Sequence, residues 1–145
     1  MSGYQHILTA VDLTQDSEVV ARRGRELAER FGAKLSLLHV VEFIPVDPAG
    51  EALLPPPVDV DGELIKGARQ RLSALCASLG LRNAKSRVEV GNIKAEILRV
   101  VAEEQADLLV LGSHGRHGLA LLMGSTEKSL VHKAPCDVLA VRLNP

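Results

Sequence analysis

Five short apolar runs alternate with stretches of helical periodicity, and this alternation constrains the fold more than any other feature. The runs cover residues 6–12, 34–41, 85–90, 107–112 and 137–143 and are rich in Val, Leu and Ile. Apolar runs of this length, bounded by polar residues and turn formers, are typical of β-strands. Strands that alternate with helices form right-handed β-α-β units. The sequence therefore predicts an α/β protein with a five-stranded, doubly wound parallel sheet and helices on both faces.

Helical periodicity and end signals locate the helices between the strands. Three segments repeat apolar residues every three or four positions, and a shorter helix is predicted at about 125–133, where Pro135 ends it. Five of the seven prolines fall in residues 43–60, which show neither period and are predicted to form a long loop. The predicted caps of the first three helices are, in chain order, Thr14 or Asp16 with Gly32, Asp59 or Asp61 with Gly80, and Asn92.

Length and composition restrict the class of protein further. The 145 residues fit one domain, 1–145, and 46% hydrophobic residues with 2% aromatics imply an aliphatic core. A net charge of -1 without charge runs gives no indication of a nucleic-acid or membrane surface. Cys76 and Cys136 lie in apolar surroundings without CxxC spacing, so both are predicted to be buried and free of disulfides. No secretory leader is recognisable and no run approaches the ~18 residues of a membrane span, so a cytoplasmic location is expected.

The stretch LGSHGRHGLALLMGSTEKSL, residues 111–130, follows the fourth predicted strand and is a candidate binding loop. Ligands of open parallel sheets lie beyond the carboxyl ends of the strands. Gly112 and Gly115 allow a backbone turn whose N–H groups converge on an anion. Ser125 and Thr126 open a helix whose N-terminus favours phosphate. The same residues also fit a loop without a ligand, in which the glycines form turns and Ser125 or Thr126 caps the next helix. The stretch alone therefore leaves open whether it binds phosphate or only connects two elements.

Other phosphate and metal motifs are weaker. The P-loop pattern GxxxxGK[ST] is absent and GxGxxG does not follow the first strand, so neither the usual NTPase nor the dinucleotide fold is indicated. His114 and His117 stand three positions apart without a Cys or carboxylate at ligand spacing, which is more typical of polar loop residues than of a metal site. His6, His39 and His132 lie near the ends of predicted elements and are interpreted as structural.

Four separated stretches match a known family in the right order: YQHILTAVDLTQDSE, GAKLSLLHVVE, VGNIKAEILRVVAEEQADLLVLGSHGR and HKAPCDVLAVR. Over nearly every residue, the chain resembles the universal stress protein family. The resemblance implies a sheet with strand order 3-2-1-4-5, a homodimer, and stress-linked cytoplasmic roles with no agreed catalytic reaction.

The ATP-binding branch of that family carries the pattern G-x2-G-x9-G-[S/T] after its fourth strand. Gly112 and Gly115 match the first two positions, whereas Gly124 comes after only eight residues. With the family spacing kept, Ser125 takes the third-glycine position and Thr126 the hydroxyl position. If residues 118–123 form a helical turn, the missing residue rotates the downstream residues by ~100°, whereas an irregular loop can absorb the difference. The UspA-type branch, regarded as not binding ATP, is also shortened here but lacks these glycines, so the chain combines features of both branches.

Residues after other strands match family positions as well. Asp12 matches the aspartate near the ribose and the metal, although a turn residue is an equal interpretation. Ala10 and Val40 match positions that contact the base, and both are also ordinary core residues. Arg116 is a candidate phosphate partner or a solvated surface residue. The predicted nucleotide site comprises Ala10, Asp12, Val40, Gly112, Ser113, His114, Gly115, Arg116, Gly124, Ser125 and Thr126.

Three classes of function are consistent with these residues. The preferred hypothesis is an ATP-binding regulatory module, with Mg²⁺ accompanying the nucleotide, that acts as a homodimer in the stress response. The alternative is a nucleotide-free dimeric interaction protein whose strand at 137–143 pairs with its symmetry mate, unless Arg142 and Pro145 simply guard that edge. A slow ATP hydrolase is the third class, but no base is spaced beside a nucleophile. The loop at 43–60 is a candidate cover for the crevice or a contact for an unidentified protein partner.

Overall fold

The computed structural model of the chain describes residues 3–42, 58–119 and 133–143. Within these ranges no helix is both long enough and apolar enough to cross a membrane. The strands defined there are β1 (His6–Ala10), β2 (Lys34–Glu42), β3 (Lys85–Gly91), β4 (Leu108–Gly112) and β5 (Asp137–Val141). The helices are α1 (Ser17–Phe31), α2 (Val58–Ser78) and α3 (Ile93–Glu104).

The five strands form one parallel sheet in the order β3-β2-β1-β4-β5. This confirms the predicted fold class, the five strands and the strand order that the family resemblance implies. The chain winds outward from β1 through β2 to β3, and then returns to add β4 and β5 on the other side. The winding direction therefore reverses beside β1, where open parallel sheets bind their ligands.

Consecutive residues of the central strands point to opposite faces of the sheet and build two separate cores. Ile7 belongs to a cluster with Val20 of α1 and Leu72 of α2, whereas Leu8 belongs to a cluster with Ile97 of α3. Every residue of β4 is buried, as is β1 from Ile7 onward. Because both faces of these strands are covered, their sequences are continuously apolar instead of alternating.

The predicted helix ends are largely confirmed. Gly32 and Gly80 adopt left-handed conformations after α1 and α2, with φ of 65° and 68°. The Asn92 side chain caps α3 by accepting a hydrogen bond from Ala95 N at 2.9 Å. Asp16 is the N-cap residue of α1, but its side chain makes no capping hydrogen bond. The start of α1 is instead organised by Asp12, which accepts hydrogen bonds from Thr14 and Ser17.

Helix α2 begins at Val58, earlier than the sequence predicts. Residues 58–60 are therefore helix and not loop, and Asp59 and Asp61 lie inside the helix instead of capping it. Three consecutive prolines directly precede α2. Proline is tolerated at the start of a helix, where its missing N–H is not needed, so the proline triplet is compatible with a helix that begins at Val58.

Two further predictions fall mainly on residues outside the described ranges. These are the rest of the loop at 43–60 and the short helix at 125–133, of which Lys133 alone is described and is helical. The two cysteines are free; Cys76 is buried, whereas Cys136 is only half-buried. Burial raises the pKa of both thiols, to about 11 for Cys136.

The outer strand β3 carries a network of ion pairs along one edge of the sheet. The Arg87 side chain, only 15% exposed, contacts Glu89 at 2.8 Å, Glu103 at 2.9 Å and Glu104 at 2.8 Å. Arg99 joins the network through Glu89 and Glu103, each at 2.9 Å. Charged side chains at a sheet edge oppose pairing with a further strand.

Close packing between α1 and β1 depends on Gly24. A Cβ at this position would lie 2.2 Å from Thr9 Oγ1, which is itself buried. We expect Gly24→Ala to lower the free energy of unfolding by about 2 kcal/mol, because the helix must move away from the strand. Urea unfolding followed by circular dichroism measures this loss.

Gly62→Ala in α2 is the matched control, because nothing lies within 4 Å of a Cβ built there. We expect this variant to gain up to about 1 kcal/mol from the higher helix propensity of alanine. If the two alanine variants were equally stable, the contact between Gly24 and Thr9 would not matter for packing.

Candidate functional site

The strands β1 and β2 separate at their carboxyl ends and leave a fork. Their backbones remain paired as far as Ala10 and Leu38, and Val11 N still donates to Leu38 O at 2.9 Å. The next hydrogen bond of a parallel ladder would join Val40 N to Val11 O. Instead, Val40 N and Val11 O each form a hydrogen bond with a histidine side chain. The fork therefore opens at the edge of the sheet where ligands of this fold class lie.

Asp12, just beyond β1, holds the loops after β1 and β4 together. Its Oδ1 accepts hydrogen bonds from Thr14 N at 3.1 Å, Thr14 Oγ1 at 2.7 Å and Ser17 Oγ at 3.0 Å. Its Oδ2 accepts one from Arg116 N at 3.1 Å. Because Asp12 already orders the turn into α1, no capping bond from Asp16 is required there.

The electrostatics of Asp12 favour the charged form. Burial by itself would raise the pKa of Asp12, but the hydrogen bonds from Thr14, Ser17 and Arg116 outweigh it, and the pKa lies below its usual value. The carboxylate is therefore ionised at neutral pH. Oδ2 carries fewer protein hydrogen bonds than Oδ1, so it is the oxygen better able to accept a ligand hydroxyl or to face a cation.

Gly112 at the end of β4 and Gly115 in the loop that follows are both closely packed. Gly115 has φ of +101°, and a Cβ there would lie 2.4 Å from Asp12 Oδ2. A Cβ at Gly112 would lie 2.7 Å from Leu143 Cδ1. A side chain at Gly112 would therefore displace Leu143, whereas Gly115 is favoured both by its positive φ and by the close approach of the loop to Asp12.

Ser113 forms hydrogen bonds with the backbone at the end of β5. Its N–H donates to Val141 O at 2.8 Å, and its Oγ accepts from Leu143 N at 3.0 Å. These bonds fasten the loop after β4 to β5. The Ser113 hydroxyl is thus engaged with the backbone just beyond β5.

His39 and His117 stack on each other at the fork, with ring centroids 4.9 Å apart and planes inclined by 18°. His39 Nδ1 donates to Val11 O at 2.8 Å, and His117 Nε2 accepts from Val40 N at 2.9 Å. His117 lies in the loop after β4, as the sequence predicts, but it is 3% exposed, and the sequence does not predict this burial. No local sequence pattern distinguishes it from an exposed loop histidine.

Both imidazoles are neutral at physiological pH. Burial is the main reason that the pKa of His117 falls to about 3, and the neighbouring His39 lowers it further. Burial also lowers the pKa of His39. A neutral His117 whose Nε2 accepts the Val40 N–H carries its proton on Nδ1, which has no hydrogen-bond partner among the described residues.

A cavity of about 400 Å³ lies beside this pair, between the end of β2 and helix α2. Asp12, Val40, Arg71 and Arg116 are among the residues that line it. Its volume lies within the range of about 300–1,000 Å³ that small-molecule sites occupy. It therefore has the size, the position and the mixture of charges expected of a binding site.

Arg116, the predicted phosphate partner, lies at the rim of the cavity. Its guanidinium pairs with Glu42 at 2.6 Å, and its side chain is 66% exposed. Exposed ion pairs of this kind contribute little, typically about 0–1 kcal/mol. The guanidinium can therefore exchange Glu42 for a ligand at low cost.

Apart from Ser113 and Gly115, which line neither this cavity nor the smaller hollow at Gly112, the residues of the predicted nucleotide site are divided among three places. Those that line the cavity are Asp12, Val40 and Arg116. A separate hollow of about 10 Å³, with room for about one water, is lined among others by Ala10, Gly112 and His114. Outside the described ranges lie Gly124, Ser125 and Thr126, whose role stays a prediction.

Sequence analysis missed several residues of the cavity. Arg71 and Gly67 of α2 line it, as do His39 and His117. Arg71 also donates to Leu13 O, which ties α2 to the loop after β1. The periodicity of α2 identifies its buried face but does not indicate which of its other positions line a cavity.

The described part of the chain contains no group of three or more His, Cys, Asp or Glu arranged to hold a metal ion. Mg²⁺ is commonly bound through one or two carboxylates together with the phosphates of a substrate. In this site Asp12 would supply the carboxylate, and the remaining ligands would come from phosphate and water.

Comparison with known protein families and sequences gives consistent matches. The model of the universal stress protein family matches residues 3–142. Universal stress protein A homolog 1 of Coxiella burnetii is 36% identical over 138 residues, which cover 95% of this chain and 96% of that protein.

Solved structures are similar over almost the whole chain. Universal stress protein UspA from Lactobacillus plantarum has a TM-score of 0.69 at 29% identity, and the match covers 98% of this chain and 100% of that one. A universal stress protein in complex with cAMP has a TM-score of 0.59 at 26% identity, with 97% and 98% covered.

Proposed function

This chain belongs to the universal stress protein family, and on that premise we propose that its cavity binds an adenine nucleotide, ATP in the first instance. The observation that carries the proposal is the cavity of about 400 Å³ at the fork between β1 and β2. Its charged lining residues are the ionised Asp12, the arginines Arg71 and Arg116, and the acidic residues Glu42 and Glu63. It opens at the carboxyl edge of the sheet, next to the reversal between β1 and β4 where sheets of this class bind ligands. In this proposal, nucleotide binding changes the loops around Asp12 and regulates the role of the protein in the stress response.

Each charged residue has a distinct task in the proposed complex. Asp12 Oδ2 accepts a hydrogen bond from a ribose hydroxyl or faces a nucleotide-bound Mg²⁺. Arg71 and Arg116 supply positive charge to the phosphates, and Arg116 exchanges Glu42 for them. The backbone after β4 turns beside Asp12 because Gly115 has no side chain to block the approach.

A relative supports the class of ligand. The universal stress protein that was crystallised with cAMP, an adenine nucleotide, is 26% identical to this chain. ATP and cAMP share the base but differ in their phosphates. Titrating both compounds therefore distinguishes a site that requires a phosphate chain from one that recognises the adenosine part.

Isothermal titration calorimetry with ATP, with and without Mg²⁺, tests the proposal, and Gly67→Leu is the decisive variant. Gly67 lines the cavity, and nothing lies within 4 Å of a Cβ built there. The leucine side chain would extend from this open position into the cavity. We expect the affinity for ATP to fall at least about tenfold, which corresponds to about 1.4 kcal/mol.

Gly62→Leu provides the matched control, because it places the same side chain on the same helix at an open position that does not line the cavity. We expect this control to bind ATP like the wild type. Absence of saturable ATP binding by the wild-type protein would end the proposal. If both leucine variants bound ATP with equal affinity, the nucleotide site would have to lie outside this cavity.

A second proposal concerns assembly through β5, as a homodimer. Among the strands that the structure describes, β5 pairs with β4 alone, and Val138, Leu139 and Ala140 are half-buried. Pairing of β5 with the same strand of a second copy would satisfy its open backbone groups. Light scattering at micromolar concentration that gave the mass of a single chain would contradict it.

A further inference from the structure

The fork between β1 and β2 presents one backbone donor and one backbone acceptor. The ladder ends at Val11, and the next bond would join Val40 N to Val11 O. Instead, His39 donates to Val11 O at 2.8 Å, and Val40 N donates to His117 Nε2 at 2.9 Å. Two imidazoles thus satisfy the two backbone groups that the separation of the strands leaves open.

The arrangement of His117 has the features of a bound heterocyclic base. Its flat ring stacks on His39 with centroids 4.9 Å apart, and a ring nitrogen accepts a hydrogen bond from a strand-end amide. Stacking together with hydrogen bonds to the base edge is how proteins recognise an unpaired base. A purine that uses the Val40 N–H would therefore need the position that the His117 ring holds.

We propose that His117 determines which ligands the cavity accepts, because its ring competes with a purine base for the stacking surface of His39 and for the N–H of Val40. The inference rests on the proposed nucleotide function and specifies how that site discriminates. Ligands that consist only of phosphates or of a sugar phosphate bind without moving the ring. An adenine nucleotide must first displace it.

His117 is the partner that moves. It belongs to the loop after β4, whereas His39 is part of β2. His117 Nδ1 has no hydrogen-bond partner among the described residues, so displacement breaks only the bond to Val40 N, which a base nitrogen then replaces. Binding of an adenine base therefore costs the free energy of exposing the His117 imidazole to solvent. It does not leave the Val40 N–H without a hydrogen bond.

Calorimetry on two variants tests this competition. His117→Ala empties the ring position and frees the Val40 N–H, whereas His117→Phe keeps the position filled. We expect His117→Ala to bind ATP at least about tenfold more tightly than the wild type, as removal of a competing hydrogen bond of about 1.4 kcal/mol implies. His117→Phe should bind no more tightly than the wild type. Inorganic triphosphate, which has no base, should bind all three proteins equally.

The outcomes separate this inference from the proposed function. If the wild type and His117→Ala bind ATP with equal affinity, or if His117→Phe gains as much as His117→Ala, the competition does not exist although the nucleotide site does. If neither the wild type nor His117→Ala binds ATP, both proposals fail.

A measurement on the unmodified chain covers the case in which His117→Ala does not fold. Nitrogen-15 NMR of the histidine rings reports whether Nε2 of His117 accepts a hydrogen bond. Saturation with ATP should shift the His117 ring signals, and saturation with inorganic triphosphate should not. Unchanged His117 signals at saturating ATP would overturn the inference.

Discussion

Gly115→Ala is expected to lower the free energy of unfolding by about 3 kcal/mol, with two separate causes. The native φ of +101° is strained for any residue with a side chain, which costs about 1–2 kcal/mol. In addition, the new Cβ would lie 2.4 Å from Asp12 Oδ2. The carboxylate must then move away from Arg116 N and lose that hydrogen bond, which costs about 1–2 kcal/mol more. Guanidinium unfolding at pH 7 measures the total.

Gly80→Ala separates the two causes. Gly80 also has a positive φ, of +68°, but nothing lies within 4 Å of a Cβ built there. This control should therefore lose only the conformational part, about 1 kcal/mol. It should also bind ATP like the wild type, whereas Gly115→Ala, with Asp12 displaced, should bind at least about tenfold more weakly. Equal losses of stability in the two variants would show that the contact between Gly115 and Asp12 is not tight.

Acid is expected to destabilise the protein through His117, by about 4 kcal/mol between pH 6.5 and pH 3. The folded chain holds this imidazole neutral, with a pKa of about 3, whereas the unfolded chain protonates it near its ordinary value of 6.5. In this window the unfolded state therefore binds more protons. The contribution of His117 is complete above pH 6.5 and is lost progressively as the pH falls toward 3.

The groups that face His117 define the control. His39 lowers the pKa of His117 and has a lowered pKa itself, Arg116 also lowers it, and Asp12 raises it. Asp12 titrates in a different window: its own pKa is lowered, so its contribution disappears only below its ordinary value of 3.8. In His117→Phe, urea unfolding midpoints should vary less between pH 6.5 and pH 4. The remaining slope should come from His39 and, toward pH 4, from groups such as Glu104, whose pKa is also lowered. Parallel curves for the wild type and this variant would contradict the assignment.

Local sequence signals predict the parts of the fold that local physics determines. A strand covered on both faces must be apolar throughout, so the runs that became β1 and β4 identify buried strands directly. Gly32 and Gly80 end their helices because only glycine adopts positive φ without strain. Asn92 caps α3 through its own side chain within three positions along the chain.

The candidate site is harder to predict because its contacts join distant parts of the chain. Val40 and His117 are 77 positions apart, and Asp12 and Arg116 are 104 apart. The position of Gly115 after a buried strand already makes it a candidate, whereas Asp12 is distinguished from an ordinary turn residue only by the family resemblance. It does not indicate that a buried His117 holds the amide of Val40, because a histidine in a glycine-rich loop looks the same whether it is exposed or enclosed.

The ion pairs along β3 have a consequence for how many copies of the chain can associate. The Arg87 and Arg99 network covers one border of the sheet with charge, while β5 leaves apolar side chains at the opposite border. If two copies pair through β5, the β5 edge of each sheet is buried in the contact. The charged β3 edges then lie at the two outer ends of the combined sheet. Such an assembly would not extend into a fibre through the β3 edges.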